Sequence, residues 1–225
     1  MQQKEFSGKL SQSSVGFWRD KLTEQLEIIK HKKKEKSLER LYALDIALTY
    51  FFLHMYAESA VDYFMENLCR YSMRDDIAKE YAEKHLYLSG KIQFIFDHFC
   101  SDLPYGEYLE LKNLVVGLAS IRSQVVHLHE MSWGISMSLD GGLHKEHPNK
   151  FAGLLTEEKL KQQIRQVNIF LDALKDAVRR GLKGEMYGGM IRIGDKHILA
   201  DKKGAVGLVN HISKLLPPPI DVESL

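Results

Sequence analysis

The sequence predicts an all-α chain closed by a short β-hairpin and an extended tail. Apolar residues recur every three to four positions through long stretches between residues 17 and 180. Helix punctuation frames the last stretch: Thr156 stands ahead of Glu157 and Glu158, and Arg179, Arg180 and Gly181 follow at the far end. Beyond Gly184 the texture changes to short β-prone runs.

Taken in order, residues 1–16 are polar and rich in Ser and Gln, and read as a flexible N-terminus. In "FWRDKLTEQLEIIKHKKKEKSLERL", Phe17, Leu22, Leu26 and Ile29 fall at helical spacing ahead of a lysine run. From about Leu38 to Tyr71, Leu41, Leu44, Leu48, Phe52, Met55, Ser59 and Tyr63 mark a long central helix, whole, kinked or split. "MRDDIAKEYAEKHLYLSGKIQFIFDHFC" predicts one helix or a pair broken around Ser89-Gly90, and "SDLPYG" a turn. "EYLELKNLVVGLASIRSQVVHLH" is the next helix, followed by a polar, Gly-containing loop. The last helix runs from about Glu157 to Arg180. "MIRIGDKHILA" then reads as a hairpin joined by Gly-Asp, and "LLPPPIDVESL" as a stiff extended tail. The domain division is therefore 1–16, a helical bundle over 17–184, and hairpin plus tail over 185–225.

Composition narrows the function. With 225 residues, 44% of them hydrophobic, the chain suffices for one large domain with a sizeable core. A formal net charge of +1 excludes a polycation, so nucleic-acid binding must come from local patches. Cys69 and Cys100 sit among apolar residues on separate helices, which fits a reducing cytoplasm. Neither a secretion-type apolar start nor an apolar run of about 18 residues is present, so no membrane is expected. There is no P-loop, GxGxxG or nucleophile elbow. "GGLHKEHPNK" carries His144, Glu146 and His147 without a metal-binding pattern, so neither metal nor cofactor is expected.

The chemistry concentrates in "LVVGLASIRSQVVHLH", an apolar helix run that meets Arg122 and then His127 and His129. Spacing alone is a weak signal, since Arg192 and His197 in the predicted hairpin repeat it; on the strand and turn reading those two fall on opposite sheet faces, which gives them no role. The context of Arg122-Ser-Gln-Val-Val-His127, late in an amphipathic helix within a bundle, resembles the HEPN family, whose signature is an R-x4-6-H motif near the end of such a helix. The resemblance covers roughly residues 38–180. It implies a HEPN-like up-and-down bundle and the activity of the family's metal-independent endoribonucleases, which occur as toxins, in antiviral defence and in CRISPR-associated effectors. It also implies a homodimer whose two motifs line one cleft, an RNA substrate, and an antitoxin or regulatory partner. Ser123 departs from the Asn, Asp or His common after the arginine.

The residue types suit the chemistry. When a ribose 2′-hydroxyl attacks the adjacent phosphate, a histidine moves protons near neutral pH and an arginine braces the phosphoryl oxygens, leaving a cyclic phosphate. On an ideal helix a step of five residues sets Arg122 and His127 about 140° apart, whereas a step of seven returns His129 to the face of Arg122. His127 has the commoner spacing and His129 the better helical phase. Ser123 can orient substrate or histidine, and Glu58, an acid in the apolar stretch of the central helix, can support the motif; Asp62 competes with it one turn later. The run Lys30–Lys36 supplies Lys32, Lys33, Lys34 and Lys36 as candidate phosphate contacts. The alternative is a non-catalytic HEPN-like binding or regulatory protein.

Overall fold

The computed structural model describes the backbone over residues 2–35, 39–72, 74–101, 103–126, 156–185, 190–193, 196–199, 210, 214 and 218–222, with side chains over 14–32, 45–70, 74–101, 103–120, 156–181, 210, 214 and 218–222. Among the described residues six helices carry the fold: α1 (Gln2–Glu35), α2 (Glu39–Ser72), α3 (Asp75–Glu83), α4 (Leu88–Phe99), α5 (Tyr105–Val126) and α6 (Glu157–Glu185). Among the described residues none of them is long and apolar enough to cross a membrane.

α2 is the axis, because it touches every other helix. Apolar side chains are accordingly buried on most of its circumference, Tyr50, Leu53, Tyr56, Ala57, Val61, Phe64 and Leu68 among them. With apolar residues on several faces, a three-to-four spacing fits more than one of them. The stripe expected from the sequence therefore includes Leu48, which is exposed. α2 is also one continuous helix rather than a split one.

α1 runs antiparallel to α2. Ser14 bonds Ser59 near one end, and Gln25 and Lys32 both bond Asp45 near the other. Two expectations change here. The helix begins at Gln2 rather than near Phe17, with Val15 already in the core, and it runs through the lysine stretch to Glu35. Lys, Glu and Gln are good helix formers, and docking on α2 extends what local amphipathicity left open.

The break between α3 and α4 falls at residues 84–87, where His85 takes a left-handed backbone (φ 44°), and not at Ser89-Gly90, which lie in the first turn of α4. α5 and α6 are antiparallel, with Arg180 reaching Glu107 at one end and Gln163 beside Gly117 at the other. Thr156 caps α6, its Oγ1 accepting from the Lys159 amide at 3.3 Å. Gly181, expected as a helix stop, lies inside α6 instead. A Cβ there would stand 2.1 Å from the Phe99 carbonyl oxygen, so the glycine permits α6 to cross the end of α4 at contact.

Strands β1 (Met190–Ile193) and β2 (Lys196–Leu199) pair antiparallel. Their register sets Arg192 directly opposite His197, one cross-strand position on one face, which corrects the assignment of those two to opposite faces. The tail is no free extension: Ile220 and Val222 are buried in the core cluster.

Candidate functional site

The motif helix is α5. Its buried side chains, Tyr108, Leu111, Val115 and Leu118, step by three and four residues along one face, and the next position on that face is 122. Arg122 thus stands where the core-facing stripe of α5 reaches the last turns of the helix. The following position, 123, lies about 100° round the helix, in phase with exposed Val116, Leu109 and Tyr105. His127 and His129 lie outside the described residues, as do His144, Glu146 and His147.

Glu58 is fully placed, and it is the centre of a polar cluster that joins three helices. On α2, His54, Glu58 and Asp62 follow at steps of four, one above the other. His54 Nε2 donates to Glu58 Oε2 at 3.3 Å. Lys91, in the first turn of α4, places its Nζ 3.0 Å from Glu58 Oε1 and 2.8 Å from Asp62 Oδ2. Tyr81 of α3 donates its hydroxyl to Asp62 Oδ1 at 2.5 Å. Each carboxylate oxygen thus has a donor among the described residues.

Burial makes these bonds strong. The side chains of His54, Lys91 and Glu58 are 3%, 11% and 16% exposed. Burial alone would raise the Glu58 carboxyl, but the His54 hydrogen bond and the Lys91 ammonium outweigh it and hold the group down at about 2. Glu58 is thus ionised at neutral pH and cannot act as a general acid. Tyr81 is raised well above the ordinary phenol range, first by burial and then by the charge of Asp62 and the bond to it. Because an ionised Glu58 only accepts, His54 carries its hydrogen on Nε2, and its buried Nδ1 has no partner among the described residues. The cluster's chemistry is that of a lock: it pins α3 and α4 to α2.

Of the candidate phosphate-binding lysines, Lys32 commits its ammonium to Asp45 across the α1–α2 contact. Lys33 and Lys34 belong to the last turns of α1, with side chains outside the description, and Lys36 lies outside it altogether. Sequence reasoning reached Glu58 and Asp62 but missed His54, Tyr81 and Lys91. The step of four from His54 to Glu58 was available in the sequence as a signal; the approach of α3 and α4 was not. Comparison with protein-family models, curated proteins and solved structures yields no match to this chain.

Proposed function

We propose that this chain is a metal-independent HEPN endoribonuclease of the cytoplasm, acting as a homodimer in a toxin or antiviral-defence setting. The observation that carries the reading is the position of Arg122: a cation continuing the buried stripe of α5, at the end of the helix, five residues ahead of His127. An arginine at that position, near a helix end and on the stripe that the bundle covers further up the helix, is suited to bracing a phosphate brought to the end of the bundle.

In the reaction, His127 takes the proton of a ribose 2′-hydroxyl as its oxygen attacks the neighbouring phosphorus. Arg122 neutralises the charge building on the phosphoryl oxygens, and the bond to the 5′-oxygen breaks with a proton delivered to the leaving group. The products are a 2′,3′-cyclic phosphate and a 5′-hydroxyl. His129 holds the proton-transfer role if its helical phase prevails, and Ser123 positions one of the two. Glu58 serves indirectly, through the α2–α4 lock. The exposed apolar stripe of Tyr105, Leu109 and Val116 on α5 supports pairing of two copies along this helix, and with Lys32 paired to Asp45 the lysine run offers Lys33, Lys34 and Lys36 to RNA.

The test is cleavage of mixed single-stranded RNA in excess EDTA by the parent and by folded Arg122→Ala, His127→Ala and His129→Ala variants, with Leu109→Glu/Val116→Glu as a dimer-breaking control. Cutting by the parent, reduced at least 100-fold by Arg122→Ala and by loss of one histidine, is the expected result. Absence of cutting by a folded dimer across several RNAs replaces the reading with the non-catalytic binding protein, which the unusual Ser123 favours.

A further inference from the structure

The C-terminal segment is held in a way that local sequence does not require. Asn168, in the middle of α6, uses its whole side-chain amide on a single residue of the tail: Nδ2 donates to the Ile220 carbonyl at 2.9 Å, and Oδ1 accepts from the Ile220 amide at 3.1 Å. Both main-chain groups of Ile220 are thereby satisfied without a β-partner. On either side of exposed Asp221, Ile220 and Val222 are buried, the alternation of an extended strand laid on a surface. Pro218 and Pro219 precede them and are exposed, so they contribute stiffness rather than contact.

These are the parts of a peptide-recognition site. The asparagine reads main chain and so tolerates many side chains, two apolar seats at i and i+2 supply selectivity, and a proline-stiffened approach lowers the ordering cost. We propose that the face of α6 around Asn168 is a docking site for an extended segment of a partner protein with the tail's chemistry, two aliphatic side chains flanking a carboxylate behind prolines, and that residues 218–222 are its built-in occupant. The tail then works as a competitor in cis: it shields the apolar seats and sets a threshold that a partner segment must exceed. This inference does not depend on the nuclease reading.

The full chain tests it. A fluorescein-labelled PPPIDVESL peptide is titrated, by anisotropy, against the parent and against Ile220→Asp/Val222→Asp, in which the tail is present but released. The released variant is expected to bind saturably and at least about tenfold more tightly than the parent, because the cis competitor is gone. Adding Asn168→Ala to it should remove most of that binding, and a peptide with both aliphatic residues changed to Asp should not bind. No saturable binding by the folded variant overturns the proposal, as does binding that is equal in both proteins and indifferent to Asn168→Ala. Parent dimers that excess peptide dissociates would assign the site to the tail of a second copy and also overturn it. Should the released variant fail to fold, hydrogen exchange on the parent decides: an exchangeable occupant requires the Ile220 amide to exchange through local opening, well ahead of the α6 core amides. Exchange only with global unfolding would refute it.

Discussion

Glu58 shows how one residue's environment sets its contribution. Its carboxylate sits between an imidazole N–H and an ammonium, and removing it takes one of two carboxylates from Lys91 and the acceptor from His54 Nε2 among the described residues. Breaking a buried pair by deleting one partner costs about 3–5 kcal/mol, and partial exposure brings the expected loss for Glu58→Ala to about 2–4 kcal/mol in urea unfolding. The sign of the pH dependence follows from the depressed value. Folded Glu58 titrates at about 2 against an ordinary 4.5, so between these values the unfolded chain binds more protons and stability falls as pH falls. The contribution is complete above about 4.5 and lost on the way to 2. Urea midpoints measured from pH 6 to pH 2 should therefore fall more steeply in the parent than in Glu58→Gln; parallel curves would remove Glu58 from the acid response.

Among the elements, the crossing of α4 and α6 gives the sharpest expectation. Alanine is the better helix former by about 1 kcal/mol, so on propensity alone Gly181→Ala should stabilise α6. The contact decides otherwise. The added carbon would stand 2.1 Å from the Phe99 carbonyl oxygen and 2.8 Å from Cys100 Cα, both backbone atoms that can yield only if a helix moves. We expect a net loss of about 1–3 kcal/mol and a lowered melting temperature, with larger residues worse; an unchanged or raised value would mean that α6 does not cross here at contact. The same pair of elements explains why "RRG" misleads as a stop signal. Arg180 serves Glu107 of α5 and Asp176 of its own helix, and the helix continues to Glu185.

For the whole molecule, one core links Cys69 on α2 with Cys100 at the end of α4, and both are buried thiols outside any disulfide. Burial pushes the Cys69 thiol up to about 12, so little thiolate exists at neutral pH and access is closed as well. Labelling by a thiol-specific disulfide reagent at pH 8 should be slow in the native protein, at least 100-fold below a denatured sample, and should accelerate together for both cysteines across the urea transition. Fast labelling of one alone would mean that its helix opens as a separate unit.

The sequence determined the helical class, α5 over residues 107–126 and most of α6, the Thr156 cap and the burial of both cysteines, because these follow from short-range periodicity, capping chemistry and side-chain hydrophobicity. Arg122 was legible as an anomaly in an apolar run. That it continues the buried stripe of α5 required knowing which side of the helix the bundle covers. Tertiary structure decided the rest. The face of α2 that is shared by five neighbours, the Lys91 bridge from α4 to Glu58 and Asp62, the glycine under the α4 end, and the Asn168 hold on Ile220 all join residues from different elements. Periodicity orders residues within a helix, but it carries no information about which helix lies opposite; that is fixed only when all the apolar faces are buried at once.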